Sequence, residues 1–96
     1  MLILVTYDVN TQDAAGRRRL NKIAKMCLKY GQRVQNSVFE CLVEPHDYAL
    51  LQNELLKIAD LTKDSLRFYN LGAKYNTKIE HFGTKTSYDP EGVLMF

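Results

Sequence analysis

The first seven residues form an apolar, β-rich run without clean alternation, and the run stops at Asp8. Such a segment fits a central strand flanked on both edges and covered on at least one face, so the fold has to be built around it. From Ala15 onward Leu20, Ile23, Ala24, Cys27 and Leu28 recur at helical spacing. That spacing predicts an amphipathic helix, with Asp13 or Thr11 available as N-cap and Gly31 placed to end it. Residues 33–43, rich in Val, Phe and Cys, read as two short strands or one bent strand broken near Asn36 and Ser37. Pro45 opens a second helix whose apolar stripe is Tyr48, Leu51, Leu55 and Ile58, with Asp47 near its positive end. Residues 65–71 return to strand character before Gly72, and a further short strand is expected over 78–82.

The order β-α-β-β-α-β with an added C-terminal strand matches an α+β, ferredoxin-like sandwich, an antiparallel sheet with two helices on one face. A chain of 96 residues buries a thin core. The other face of the sheet then needs cover, and a second copy of the chain would supply it. Residues 1–84 are expected to form the domain and 85–96 a tail, with a turn at Asp89, Pro90, Glu91 and Gly92 and an apolar end, Val93, Leu94, Met95 and Phe96. That end packs on its own sheet or contacts another chain.

A hydrophobic share of 46% and a charged share of 25% argue against disorder. A net charge of +2 is too mild to imply nucleic acid by itself, so the distribution of charge carries more information. The first helix holds Arg17, Arg18, Arg19, Lys22, Lys25 and Lys29 without an acid, whereas the second holds Glu44, Asp47, Glu54 and Asp60 against Lys57 alone. The opening run is too short before Asp8 for a signal peptide and no stretch is long enough to span a membrane, so a cytoplasmic protein is expected. Cys27 and Cys41 lack close spacing and are expected as reduced core thiols rather than a disulfide or zinc pair.

Asp8 follows a buried strand and precedes the loop to a basic helix, a place where a carboxylate can be held rigidly and remain open to solvent. A turn or cap role for Asp8 or Asn10 is the bland alternative. Arg17, Arg18 and Arg19 oppose the helix dipole unless an anion is near, which suits phosphate, although a solvated basic face is equally compatible. Arg33 offers a fourth cation. Magnesium often takes one or two carboxylates and completes its shell with water and substrate phosphate, so one Asp8 from each of two chains could suffice. His46 and His81 have no zinc-like partners, Ser37 has no evident base, and no glycine-rich phosphate loop is present. Tyr7, Tyr69 and Tyr75 could stack on bases but suit half-buried sheet positions as well.

The segment Val5-Thr6-Tyr7-Asp8-Val9, the basic helix, the run Gly31-Gln32-Arg33-Val34-Gln35-Asn36-Ser37-Val38-Phe39-Glu40 and the segment Asp64-Ser65-Leu66-Arg67-Phe68-Tyr69-Asn70-Leu71 together resemble the family of CRISPR-associated protein two. The resemblance covers most of the chain, and its C-terminal region looks like that of type I-C members. It implies a homodimer that bridges dimers of the CRISPR integrase during spacer acquisition, with magnesium-dependent endonuclease activity on RNA or double-stranded DNA; manganese is expected to substitute. Carried over by position, Asp8 would be the metal ligand paired with its dyad mate, and Tyr7 a neighbour supporting the catalytic site. Arg17, Arg18, Arg19 and Arg33 would face nucleic acid, while Ser37 and Phe39 would lie at the active-site side of the dimer. A purely structural adaptor and a toxin-like messenger RNA ribonuclease are the competing readings.

Overall fold

A computed structural model describes residues 1–72 and 78–84. The elements are β1 (Leu2–Asp8), α1 (Ala14–Leu28), β2 (Gly31–Gln35), β3 (Val38–Leu42), α2 (Pro45–Ile58), β4 (Ser65–Asn70) and β5 (Lys78–Gly83). The sheet order is β2-β3-β1-β4-β5 and every neighbouring pair is antiparallel. This is the expected ferredoxin-like arrangement, with the apolar first strand at its centre and the added strand at one edge. The expected tail over 85–96, and Tyr75, lie outside the described residues.

Strand alternation divides the sheet into two faces. Ile3, Val5, Tyr7, Phe39, Cys41, Leu66 and Phe68 face the helices and pack with Ile23 and Cys27 of α1 and Leu51 and Leu55 of α2. The opposite face carries a separate apolar cluster of Leu4, Val38 and Tyr69, flanked by Leu71 and Ile79. Leu42, on that same face, is 78% exposed.

Asp13 caps α1 by accepting a 2.8 Å bond from the Gly16 N–H. Gly31, expected to end this helix, instead opens β2. The last turn closes through Lys29 N–H to Met26 O and Tyr30 N–H to Cys27 O, so no left-handed residue is needed. Gly31 serves close strand approach, since a Cβ there would strike the Glu40 carbonyl oxygen. The break between β2 and β3 falls at Asn36 and Ser37, which form the turn. α2 holds β5 through polar contacts: the Tyr48 hydroxyl donates to Glu80 Oε1 at 2.8 Å, and Gln52 Nε2 donates to the same oxygen at 3.4 Å.

Candidate metal and phosphate site

Asp8 is the last residue of β1 and stands opposite Ser65 of β4. Because Tyr7 points into the helix-covered core, alternation turns Asp8 to the other face, helix-free among the described residues, where it is exposed. Thr6, paired with Arg67 and Val38, precedes it on that face, and His81 extends the row on β5. The His81 Nε2 lies 2.8 Å from the Thr84 carbonyl oxygen.

Tyr7 and Asp8, neighbours in the chain and expected at one catalytic site, therefore look in opposite directions. The Tyr7 ring stacks on Phe39 with centroids 6.1 Å apart, and its hydroxyl donates to the Asn36 carbonyl at 3.3 Å. Burial pushes its phenol above the ordinary 10.0, the Cys27 thiol adds to this, and Arg33 works in the opposite direction. It is a neutral donor at neutral pH. Arg33 lies over the Phe39 ring at 5.2 Å. Ser37 joins Tyr7, Arg33, Asn36, Leu20, Asn21 and Ala24 around an open cleft of about 360 Å³ between α1 and the β2–β3 hairpin. Four residues expected around one centre thus gather at this cleft: Tyr7, Arg33 and Ser37 line it, and Phe39 lies buried beneath Arg33.

The three consecutive arginines separate by helical geometry. Arg17 turns back to the Thr11 carbonyl at 3.4 Å, Arg18 points to solvent, and Arg19 reaches a buried carboxylate to which the sequence assigned no role, Asp64. Arg19 Nε donates to Asp64 Oδ2 at 2.8 Å and Nη2 to Oδ1 at 3.2 Å. The backbone N–H groups of Asn10 and Asp60 complete the shell at 3.0 and 2.9 Å. Burial opposes ionisation of Asp64, but Arg19 and these N–H groups outweigh it and hold the carboxyl below its ordinary 3.8. No local pattern marks Asp64 in the sequence, because its charged partner stands 45 residues away.

Among the described residues no three His, Cys, Asp or Glu side chains converge as a metal cluster. Asp8 by itself supplies one carboxylate open to solvent. That suits a hard cation that keeps most of its water and does not suit zinc, which takes nitrogen and sulfur donors. Burial pushes the Cys27 thiol up to about 12, with Cys41 adding to it, and the Cys41 thiol up to about 11, with Glu40 adding to it, so neither supplies a thiolate nucleophile. Among the described residues no helix is long and apolar enough to cross a membrane.

Comparison with known proteins gives consistent matches. The family model described as CRISPR associated protein Cas2 matches residues 1–79. A protein of Nitratidesulfovibrio vulgaris named CRISPR-associated endoribonuclease Cas2 is 56% identical over 95 residues, covering 99% of this chain and 93% of that one. One from Halalkalibacterium halodurans, named CRISPR-associated endonuclease Cas2, is 54% identical over 96 residues and covers 100% of both. The crystal structure of Streptococcus pyogenes Cas2 at pH 6.5 superimposes with a TM-score of 0.71 at 55% identity, over 78% of this chain and 90% of that one.

Proposed function

The chain belongs to the CRISPR associated protein Cas2 family, and from that premise we propose that it acts as a homodimeric, magnesium-dependent endonuclease. In this reading it also holds DNA and the CRISPR integrase in register during spacer acquisition. The observation that carries the nuclease reading is the exposed Asp8 carboxylate on the helix-free face, beside an apolar cluster suited to a second copy of the same face. Two such faces related by a twofold axis bring two Asp8 carboxylates toward one another.

Asp8 of each chain would hold magnesium, with manganese as substitute, and the remaining positions would go to water and substrate phosphate. The ion, when bound, supplies Lewis-acid polarisation of the phosphodiester and activation of water. The chain's own part is to fix Asp8 at a strand end and to neutralise phosphate with its cations. Arg33, beside the cleft, and Arg17 and Arg18 at the start of α1 are the arginines available for that task. Tyr7 and Phe39 act through the core that carries β1, and Ser37 through the turn at the cleft. No protein nucleophile is required. The relatives' names, endoribonuclease and endonuclease, leave both RNA and double-stranded DNA as substrates for testing.

Asp8→Asn is expected to abolish magnesium-dependent cleavage while preserving the fold and the dimer, since an exposed carboxylate contributes little to either. Cleavage of purified RNA and DNA, run beside sedimentation velocity, checks this; normal cleavage by the variant would sink the metal-site reading. The adaptor role has its own support in α1. Arg18, Lys22, Lys25 and Lys29 are all exposed and, at 100° per residue, lie within an arc of about 60° on the side away from Ile23 and Cys27. Among the described residues none of the four meets a carboxylate. A one-sided cationic stripe of this kind suits a phosphate backbone.

A further inference from the structure

Arg19 and Asp64 stand apart from the other charged groups of this region. The Asp64 side chain is fully buried and that of Arg19 is 15% exposed, and the two form a two-pronged contact. The other acceptor positions of Asp64 take the N–H groups of Asn10 and Asp60. Asn10 lies two residues beyond Asp8, and its carbonyl oxygen sits 3.5 Å from Arg19 Nη2. Gly16 closes the arrangement from α1: a Cβ there would collide with the same Asn10 carbonyl. The main chain leaving Asp8 is thus gripped at both its N–H and its C=O. Residue 64 is also tied through its own backbone, donating to Asp60 O at 2.7 Å and accepting from Thr84 N–H at 3.0 Å. One carboxylate joins the β1–α1 loop, α1 and the α2–β4 loop, and its backbone adds the end of β5.

We infer that Arg19 and Asp64 are positioning residues that fix the Asp8 strand end for metal binding, and that Arg19 does not contact substrate phosphate. This rests on the reading of Asp8 as a metal ligand. A guanidinium occupied on its Nε edge by a buried carboxylate is poorly placed to release that partner for an exposed phosphate, because the carboxylate would be left buried and unpaired. Arg17 and Arg18, the two residues before it, have no such partner among the described residues.

The test uses the full chain with three substitutions and two readouts that do not depend on turnover. Binding of Mn2+ is followed by electron paramagnetic resonance of the free ion, and binding of a short single-stranded RNA in chelator is followed as a function of salt. For Arg19→Gln the salt slope is expected to stay at the parent value, while Mn2+ binding weakens about tenfold, the reduction typical of disturbed supporting groups around a metal ligand. Arg19→Lys is expected to be equally defective in Mn2+ binding, because an ammonium cannot reproduce the planar two-pronged grip, whereas it would rescue a phosphate contact. It also carries the test if the glutamine variant fails to fold. Leu56→Ala, at the edge of the core and with no part in the Arg19–Asp64 contact, is expected to lower thermal stability and keep parental Mn2+ affinity.

A fall in salt slope of about 0.7 in Arg19→Gln, the signature of one single-strand phosphate no longer neutralised, would overturn the inference. So would parental Mn2+ affinity in both Arg19 variants, or a loss of affinity in Leu56→Ala as large as theirs. Asp8→Asn separates the two levels. If it abolishes Mn2+ binding while the Arg19 variants keep it, the positioning role alone fails. If it binds Mn2+ as the parent does, the metal-site reading fails and the positioning role with it.

Discussion

Asp8 and Tyr7 show how one step along a strand changes what a residue can do. The pleat sends Tyr7 into the core against Phe39 and leaves Asp8 on the helix-free face. Asp64 is the residue whose importance only the folded chain reveals, and its ionisation gives a pH prediction. Its folded-state pKa is depressed, so its contribution is present above the unfolded value near 3.8 and is lost as pH falls through the folded value. Asp64→Asn is expected to lower stability at neutral pH by about 2–3 kcal/mol, because it leaves Arg19 without its ionic partner. It is also expected to flatten the decline in stability below about pH 4. Urea unfolding at a series of pH values checks both, and a variant with an unchanged acid limb would contradict the assignment.

At the scale of elements, α1 has three distinct sides. One packs Ile23 and Cys27 into the core, one carries Arg19 to Asp64, and the outer one presents Arg18, Lys22, Lys25 and Lys29. The basic character of this helix was legible in the sequence, but the division of labour among adjacent arginines was not, since it depends on where a carboxylate 45 residues away arrives. The lysines, rather than Arg19, complete the exposed stripe. Replacing Lys22, Lys25 and Lys29 together by Ala is expected to reduce the salt slope of duplex DNA binding by about 0.9 for each phosphate that a lysine no longer neutralises. Fluorescence anisotropy across a salt series measures this; a slope matching the parent would remove the stripe from the binding surface.

For the whole molecule the decisive fact is that both helices lie on one side of a five-stranded sheet. The helix-free side carries Asp8, a second apolar cluster and the exposed Leu42, so the proposed dimer and the proposed metal site depend on the same face. Leu42→Glu should leave the protomer folded, because this side chain is 78% exposed in the single chain. It is expected to shift the dimer toward monomer in sedimentation velocity and to weaken Mn2+ binding in parallel, if two chains share the ion. Dissociation without any change in metal binding would separate the site from the dimer.

Periodicity and punctuation determined most of the architecture. The run ending at Asp8, the stripes of both helices apart from Leu28, which is 57% exposed, and the added strand appear where local pattern places them, and of the two readings of residues 33–43 the structure has two strands with the break near Asn36 and Ser37, because each depends on neighbours in the chain. The closing of α1 without Gly31, the opposite directions of Tyr7 and Asp8 and the commitment of Arg19 to Asp64 were decided by tertiary structure. The first depends on how the last helical turn bonds and how closely two strands approach, the second on which face of the sheet the helices cover. The third depends on a contact between distant segments whose charges carry no local signature. Asp8 was visible from the sequence as a strand-end carboxylate; what holds that strand end in place was visible only once the chain had folded around it.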